Sequence, residues 1–261
     1  MRETFREIAE IIKYKELVRN LVAKDIKIRY KRSVLGFLWV MLHPLLMMTI
    51  LNIVFSAIFN MQGKNYSVYI LSGFIVWNLF SQSTSTSITS FTGNRDLIKK
   101  IYLPKSVFPL SVSLSALIHF VFSLVPLFII MVVSGTPISY RIIILPVILL
   151  SVMLFSYGIS LIVSTATVFF HDTKYIYDVL LIAGMYMTPI FYPESIISGR
   201  YAFIVHLNPL SYFLSTFRAA VYMEGQHLPE KLLYGAFFAL ITFIAGWLFY
   251  SRFKDRIAYH L

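Results

Sequence analysis

Seven stretches of this chain contain no Asp, Glu, Lys or Arg: Ser33–Gly63, Asn65–Asn94, Ser106–Tyr140, Ile142–His171, Val179–Pro193, Tyr201–Phe217 and Leu232–Ser251. A helix needs about 20 residues to cross roughly 30 Å of hydrocarbon. Five of the seven reach that length, while Val179–Pro193 and Tyr201–Phe217 stop at 15 and 17 residues. With 58% hydrophobic and only 13% charged residues, the chain cannot cover a soluble surface with polar groups. Its solvent is lipid.

The net charge of +11 sits between the apolar runs, not on one soluble face, so it does not indicate a nucleic-acid partner. Ten Lys or Arg precede the first run. Arg95, Lys99, Lys100 and Lys105 follow the second, Lys174 follows the fourth, and Arg252, Lys254 and Arg256 follow the last. These eighteen fall on one side if an even number of runs spans, against five on the other: Lys64, Arg141, Arg200, Arg218 and Lys231. An excess of positive charge marks the cytoplasmic side, so both termini are expected there. One of the two short runs must then span, and the better choice is about 175–191, extended inward past Asp178. The run Tyr201–Phe217, broken by Asn208-Pro209, is expected to dip into the outer leaflet and return, covered by protein.

The expected fold is an all-α membrane protein with six transmembrane helices at about 34–59, 67–91, 107–133, 142–169, 175–191 and 231–251. Residues 1–32 form an N-terminal amphipathic interfacial helix, and 33–261 form one transmembrane domain with an outer re-entrant helical segment at about 194–228. In the first segment Tyr14, Leu17, Val18, Leu21, Val22 and Ile28 share a helical face, with Lys13, Lys15, Arg19, Lys24 and Lys27 largely elsewhere. Its charge argues against a cleavable signal peptide. Two readings fit it: an anchor on the inner leaflet, or a platform for a cytoplasmic partner. The absence of Cys excludes disulfides and thiolate metal sites.

Gly36 lacks a Cβ and permits a sharp turn from interfacial helix into the bilayer, while Trp39 suits the headgroup level. The run from Lys24 to Trp39, containing Lys24-Asp25-Ile26-Lys27-Ile28-Arg29-Tyr30-Lys31 and Leu35-Gly36, resembles the corresponding segment of ABC-2 type permeases, especially exporters of polysaccharide, O-antigen or teichoic acid. Four further segments are similar in the same order. They are Asn94 to Lys105, Phe169-Phe170-His171-Asp172, Thr188-Pro189-Ile190-Phe191-Tyr192-Pro193 with Leu207-Asn208-Pro209-Leu210, and the closing Arg252-Phe253-Lys254. His171 stands where Arg is more usual, and Lys24 replaces a frequent Arg. The resemblance implies that about 93–105 is a coupling segment seated on an ATPase, and that two permeases and two ATPases assemble. It assigns ATPase coupling to Asp25, Arg29, Lys31, Asp96, Lys100, Pro104 and Asp172, and the turn that opens the inner mouth to Leu35 and Gly36.

The chain has no G-x-x-x-x-G-K-[ST] loop to cradle a triphosphate. No cofactor is therefore expected in this chain; ATP and Mg belong to an ABC ATPase partner subunit. No catalytic constellation and no ligand-like His/Asp/Glu spacing for a metal is present. On the substrate path, the hydroxyl-rich run Ser81-Gln82-Ser83-Thr84-Ser85-Thr86-Ser87 either packs helices closely or lines a wet route, with Ser81 and Ser85 as candidates. His119 lies mid-depth in the third span, as an interhelical hydrogen bond or a pore-facing contact. Tyr192, Tyr212 and Phe217 belong either to an aromatic belt or to a ring at the channel exit that stacks on sugars. The expected function is a permease subunit for a lipid-linked glycan, working as a homodimer among membrane lipids and without nucleic acid. The alternatives are an ABC-2 permease for a small hydrophobic drug or lipid, and an ion-coupled secondary transporter. The latter needs intramembrane carboxylates that the deep runs lack.

Overall fold

The computed structural model describes residues 7, 10–31, 33–59, 64–194, 202–222 and 228–261. Every regular element among them is helical. The order is α1 (Lys15–Tyr30), a 3-10 turn Gly36–Leu38, α2 (Trp39–Phe59), α3 (Lys64–Ser87), a 3-10 turn Thr92–Asn94, α4 (Arg95–Lys100) and α5 (Val107–Ser134). A 3-10 turn Tyr140–Ile144 leads into α6 (Leu145–Phe169), followed by α7 (Thr173–Met187), α8 (Ala202–Leu207), α9 (Pro209–Val221) and α10 (Leu228–His260). Residues 195–201 and 223–227 of the expected outer segment lie outside the described residues.

Among the described residues, four helical stretches are long and apolar enough to cross a bilayer: Gly36–Ser56, Val107–Ser134, Tyr140–Phe169 and Leu228–His260. α3 has the length, at 24 residues, but its final turns carry Ser81 to Ser87 and lower its apolarity. The packing explains how such a helix is tolerated. α3 touches α2, α5, α6, α7 and α9, and Val68, Ile70, Leu71, Ile75, Ser83, Thr84 and Ser87 are fully enclosed. α3 is the axis of the bundle, with little of its surface left for lipid.

α7 is shorter than the run about 175–191 led us to expect. It stops at Met187 after 15 residues, about 22 Å at 1.5 Å per residue. Thr188 turns to extended backbone (φ −95°, ψ 135°) because the ring of Pro189 disfavours the helical region at the preceding residue. The opposite holds for α10. Its 33 residues extend about 50 Å, and the turns beyond Ser251 continue as helix.

α6 and α10 form the closest helix pair. They cross at Gly158 and Gly246, where a Cβ on Gly158 would stand 2.6 Å from the Thr242 carbonyl oxygen, and one on Gly246 would overlap the Gly158 carbonyl. Small residues let backbones approach inside lipid, where no hydrophobic effect drives helices together.

Candidate functional site

Both tails meet at one end of the bundle. Val18 and Leu21 of α1, Ile98 of α4, Val107 and Phe108 of α5 and Trp247, Tyr250 and Ile257 of α10 form one apolar cluster. Polar bonds reinforce it. The Glu7 carboxylate accepts from Tyr250 Oη (2.6 Å), Ser106 Oγ (3.2 Å) and Lys254 Nζ (3.2 Å). Tyr157 Oη donates to the Ser106 carbonyl, and Lys105 Nζ donates to the Lys254 carbonyl at 2.7 Å. Burial pulls the Lys105 ammonium below its usual pKa, opposed by the carboxylates of Asp255 and Glu7.

α4 therefore sits on this core through Ile98, while Arg95, Asp96, Lys99, Lys100 and Tyr102 face outward. Lys24 of α1 donates to Asn94 Oδ1 at 3.2 Å, joining α1 to the segment leading into α4. A six-residue helix has little stability of its own. Its place is instead set by its contacts with α1, α5 and α10.

The residues expected to couple fall into distinct places. Asp96, Lys100 and Asp172 are exposed, and Lys31 lines an open basic groove with Lys24 and Lys27. Pro104 is buried beneath the exposed Tyr102 and its carbonyl accepts from the Val107 amide, so it shapes the segment without forming its surface. Asp25 is half-buried and faces the Ser115 hydroxyl on α5, while Ile28, expected on the apolar face, is 62% exposed. The packed face of α1 thus runs through Val18, Leu21 and Asp25. Burial raises the Asp25 pKa, against the pull of Lys24, Arg29 and Ser115. Arg29 lines an internal cavity next to Tyr30.

Leu35 and Gly36 form the turn between α1 and α2. Gly36 has φ +51°, a left-handed value that side chains resist, although a Cβ there would meet no atom within 4 Å. The constraint is conformational, not steric crowding. Gly36→Ala is expected to cost about 1 kcal/mol and to lower the thermal midpoint of the purified protein modestly. A midpoint equal to wild type would show that the turn is not held in this conformation.

A cavity of about 300 Å³ lies where α1 and this turn meet α2, α3 and α5. Its walls include Arg29, Trp39, Asn78, Gln82, His119 and Phe120. His119 Nδ1 lies 2.8 Å from Gln82 Oε1, linking α5 to α3, so the interhelical bond expected of His119 exists. The ring also borders the cavity, and Nε2 has no partner among the described residues. The hydroxyl run divides. Ser83 bonds Ser113 Oγ at 2.7 Å, and Thr84 and Ser87 bond back to the Phe80 and Ser83 carbonyls, all buried. Ser81 and Ser85 are half-exposed and do not line the cavity.

At the other end, Tyr192 is partly buried and donates to the Tyr186 carbonyl at 2.7 Å. Tyr212 packs on Tyr234 and Phe238 of α10. Phe217 has no exposed surface and meets Phe120 edge-on at 5.7 Å. It is a core residue of the protomer, on neither the aromatic belt nor the exit ring that were its two expected places. The residue that organises this end is Arg218, 4% exposed, whose guanidinium bonds the carbonyls of Pro189, Tyr69 and Ile190. In the sequence Arg218 counted only as a charge of the outer side. The signal was its setting between Phe217 and Ala219-Ala220-Val221, which leaves no room for a hydrated cation. Gln82 and Glu7 were also missed, because each acts through a partner distant in sequence.

Long apolar helices around a buried axis, joined at one end to an exposed charged helix, define a multi-pass helical membrane protein. The family model for the ABC-2 type transporter matches residues 16–222, and the chain belongs to that family. The chain is similar to the O-antigen export system permease protein RfbA of Klebsiella pneumoniae, 31% identical over 244 residues, covering 93% of this chain and 94% of the relative. The same-named protein of Myxococcus xanthus is 28% identical over 253 residues, covering 96% of each. The polysialic acid transport protein KpsM of Escherichia coli is 25% identical over 250 residues, covering 93% and 95%. The chain is a transport subunit and a multi-pass protein of the bacterial inner membrane.

Proposed function

We propose that this chain is the membrane-spanning subunit of an ATP-driven exporter that moves a lipid-linked polysaccharide, of O-antigen or teichoic-acid type, out of the cytoplasm. It works as a homodimer with two ABC ATPase subunits, which hold the ATP and Mg. The observation that carries the reading is the exposed, charged α4 built onto the same core as α1 and α10. That arrangement suits a lever: force applied at Asp96 and Lys100 would reach every helix at that end. The similar proteins, an O-antigen export permease and a polysialic acid transport protein, supply the class of cargo.

In this reading α3 and α7 complete six spans. α3 has the length, and its polar turns are covered by protein. α7 crosses most of the hydrocarbon, and the backbone after Met187 continues into a re-entrant segment made of α8 and α9. α9 is 13 residues long, about 20 Å, too short to cross, and ten of its residues are buried. Its first turn is tied to the end of α7, where Asn208 Nδ2 meets Thr188 Oγ1 at 2.8 Å. Its last residue, Val221, accepts from the Ser139 amide in the loop after α5. Six spans return both tails to the cytoplasm, where the ATPase waits.

Deletion of the gene in the producing strain should abolish polysaccharide at the cell surface while lipid-linked polymer accumulates inside, and a plasmid copy should restore export. Gel profiles of surface polysaccharide and extracted lipid-linked glycan provide the measurement. A deletion strain that keeps its surface polymer would remove the reading.

A further inference from the structure

Of the seven buried side-chain polar atoms without a partner among the described residues, His119 Nε2 belongs to a residue that lines the cavity described above. His119 is 6% exposed, lines the cavity between α1, α2, α3 and α5, and its Nε2 bonds nothing. The identity of its other partner fixes what Nε2 can take. The Gln82 amide is oriented with Oε1 toward the ring, and an amide oxygen only accepts, which assigns the proton of that 2.8 Å bond to His119 Nδ1. The neutral ring then presents Nε2 as a bare lone pair. A buried acceptor left this way costs free energy until a donor arrives. The donor it needs is an O–H or N–H.

The rest of the cavity narrows the class. Its other polar groups are the amides of Gln82 and Asn78, the hydroxyls of Tyr30 and of Ser123, the latter already donating to the His119 carbonyl, and the exposed His43 imidazole, groups that can both donate and accept, as a sugar's hydroxyls do. Aromatic faces come from Trp39, Tyr30 and Phe120. Arg29 is the one charged side chain in the lining, and it is exposed, as is Trp39. An anion site would gather several cations or backbone amides, and this cavity does not. At about 300 Å³ it stands at the lower end of small-molecule sites, and holds on the order of ten waters' volume at roughly 30 Å³ each. That suits one ring, not a length of polymer.

We propose that this cavity binds a single sugar ring of the exported polymer, with His119 Nε2 accepting a ring hydroxyl, Gln82 and Asn78 bonding others, and Trp39 stacking at the mouth. The site lies where the α1–α2 turn meets α3 and α5, so an occupied cavity ties the segment nearest the coupling face to the axis of the bundle. Binding there gives the transporter a way to register cargo before the ATPases act. The inference rests on the export reading above.

The test uses the purified full chain with its ATPase partner in lipid nanodiscs. Saturation-transfer NMR is recorded with methyl glycosides of glucose, galactose, mannose and rhamnose, and phosphorus line broadening with inorganic pyrophosphate. At least one glycoside should receive saturation, weakened roughly three- to tenfold by His119→Phe, the loss expected for one hydrogen bond. Trp39→Ala, at a position 39% exposed and thus undemanding for folding, should weaken it comparably. His119→Gln, which keeps an acceptor, should retain more binding than His119→Phe. No saturation in the wild type would overturn the proposal. So would pyrophosphate binding that displaces the glycosides, or saturation unchanged by both His119→Phe and Trp39→Ala. If a deletion strain loses surface polymer while wild-type protein ignores every glycoside, the export reading stands and this inference alone fails. If the deletion strain keeps its polymer, the export reading falls and takes with it the polymer as source of the ring.

Discussion

Gly246→Leu should leave almost no folded protein after extraction into mild detergent, and Gly246→Ala should survive with a clearly lowered thermal midpoint. A Cβ at 246 falls on the Gly158 carbonyl oxygen, with the Gly158 carbonyl carbon 2.8 Å and its Cα 2.9 Å away. All three obstacles are backbone, so no rotamer change relieves the clash and the helices must separate. α6 and α10 are the most extensively packed pair, and Tyr157, Phe243 and Trp247 close around the crossing. Overpacking a well-filled core typically costs about 1–3 kcal/mol. Here the added group also opens a backbone contact that holds neighbouring side chains in register, so a cost of about 3 kcal/mol or more is expected for alanine. Gly93→Ala serves as the control, since a Cβ there meets nothing within 4 Å. Fluorescence-detected gel filtration after graded heating measures all three variants. A monodisperse Gly246→Leu protein with the wild-type midpoint would mean the two helices do not cross at this point.

That crossing also shows where the sequence runs out. Long charge-free runs announce apolar helices, because desolvating a charge in lipid is prohibitive and its avoidance leaves a local pattern. The helices α2, α5, α6 and α10 were visible for that reason. Gly158 and Gly246 leave no such trace, since their meaning lies in each other, 88 positions apart. The candidate site divides the same way. Gly36 was legible because a turn between an interfacial helix and a span needs a residue that tolerates positive φ. His119 was legible as a lone imidazole in an apolar run, but Gln82, which fixes its tautomer, was one polar residue among many. For Asp25 and Phe217 the sequence did not show the depth of burial, half for the first and full for the second. Charge suggested a surface for the first and aromaticity a belt or an exit ring for the second, whereas packing sets Asp25 against α5 and encloses Phe217. Burial is a property of the assembled bundle, and only its average is written along the chain.

Arg218→Met should unseat the backbone that follows α7, and the reason begins with Pro189. Because the helix stops at Met187, the carbonyls of residues 189–192 lose helical partners inside a bundle of apolar helices, where each unsatisfied group is costly. Side chains from α3 and α9 supply the missing donors. Arg218 Nη1 bonds the Pro189 carbonyl at 2.9 Å, and Nη2 bonds those of Tyr69 at 2.9 Å and Ile190 at 3.1 Å. Tyr66 Oη bonds the Phe191 carbonyl and Tyr69 Oη that of Tyr192, both at 2.7 Å. The guanidinium also lies 3.5 Å over the centre of the Tyr69 ring, which spreads the cost of a buried cation whose described partners are all neutral. Room for it comes from Gly73, where a Cβ would stand 2.7 Å from Nη2. Methionine fills similar space but donates nothing, so the Ile190 carbonyl is stranded, while those of Pro189 and Tyr69 keep only the Tyr69 and Ser72 hydroxyls, and a loss of about 1–3 kcal/mol follows. Arg218→Lys should fall between, since a single ammonium cannot span the fork of acceptors. Amide exchange read at 188–192 distinguishes this local release from general unfolding: protection there should collapse in Arg218→Met while the α6–α10 pair keeps its own. Wild-type protection of 188–192 in that variant would show that the tyrosines of α3 hold the segment without the arginine.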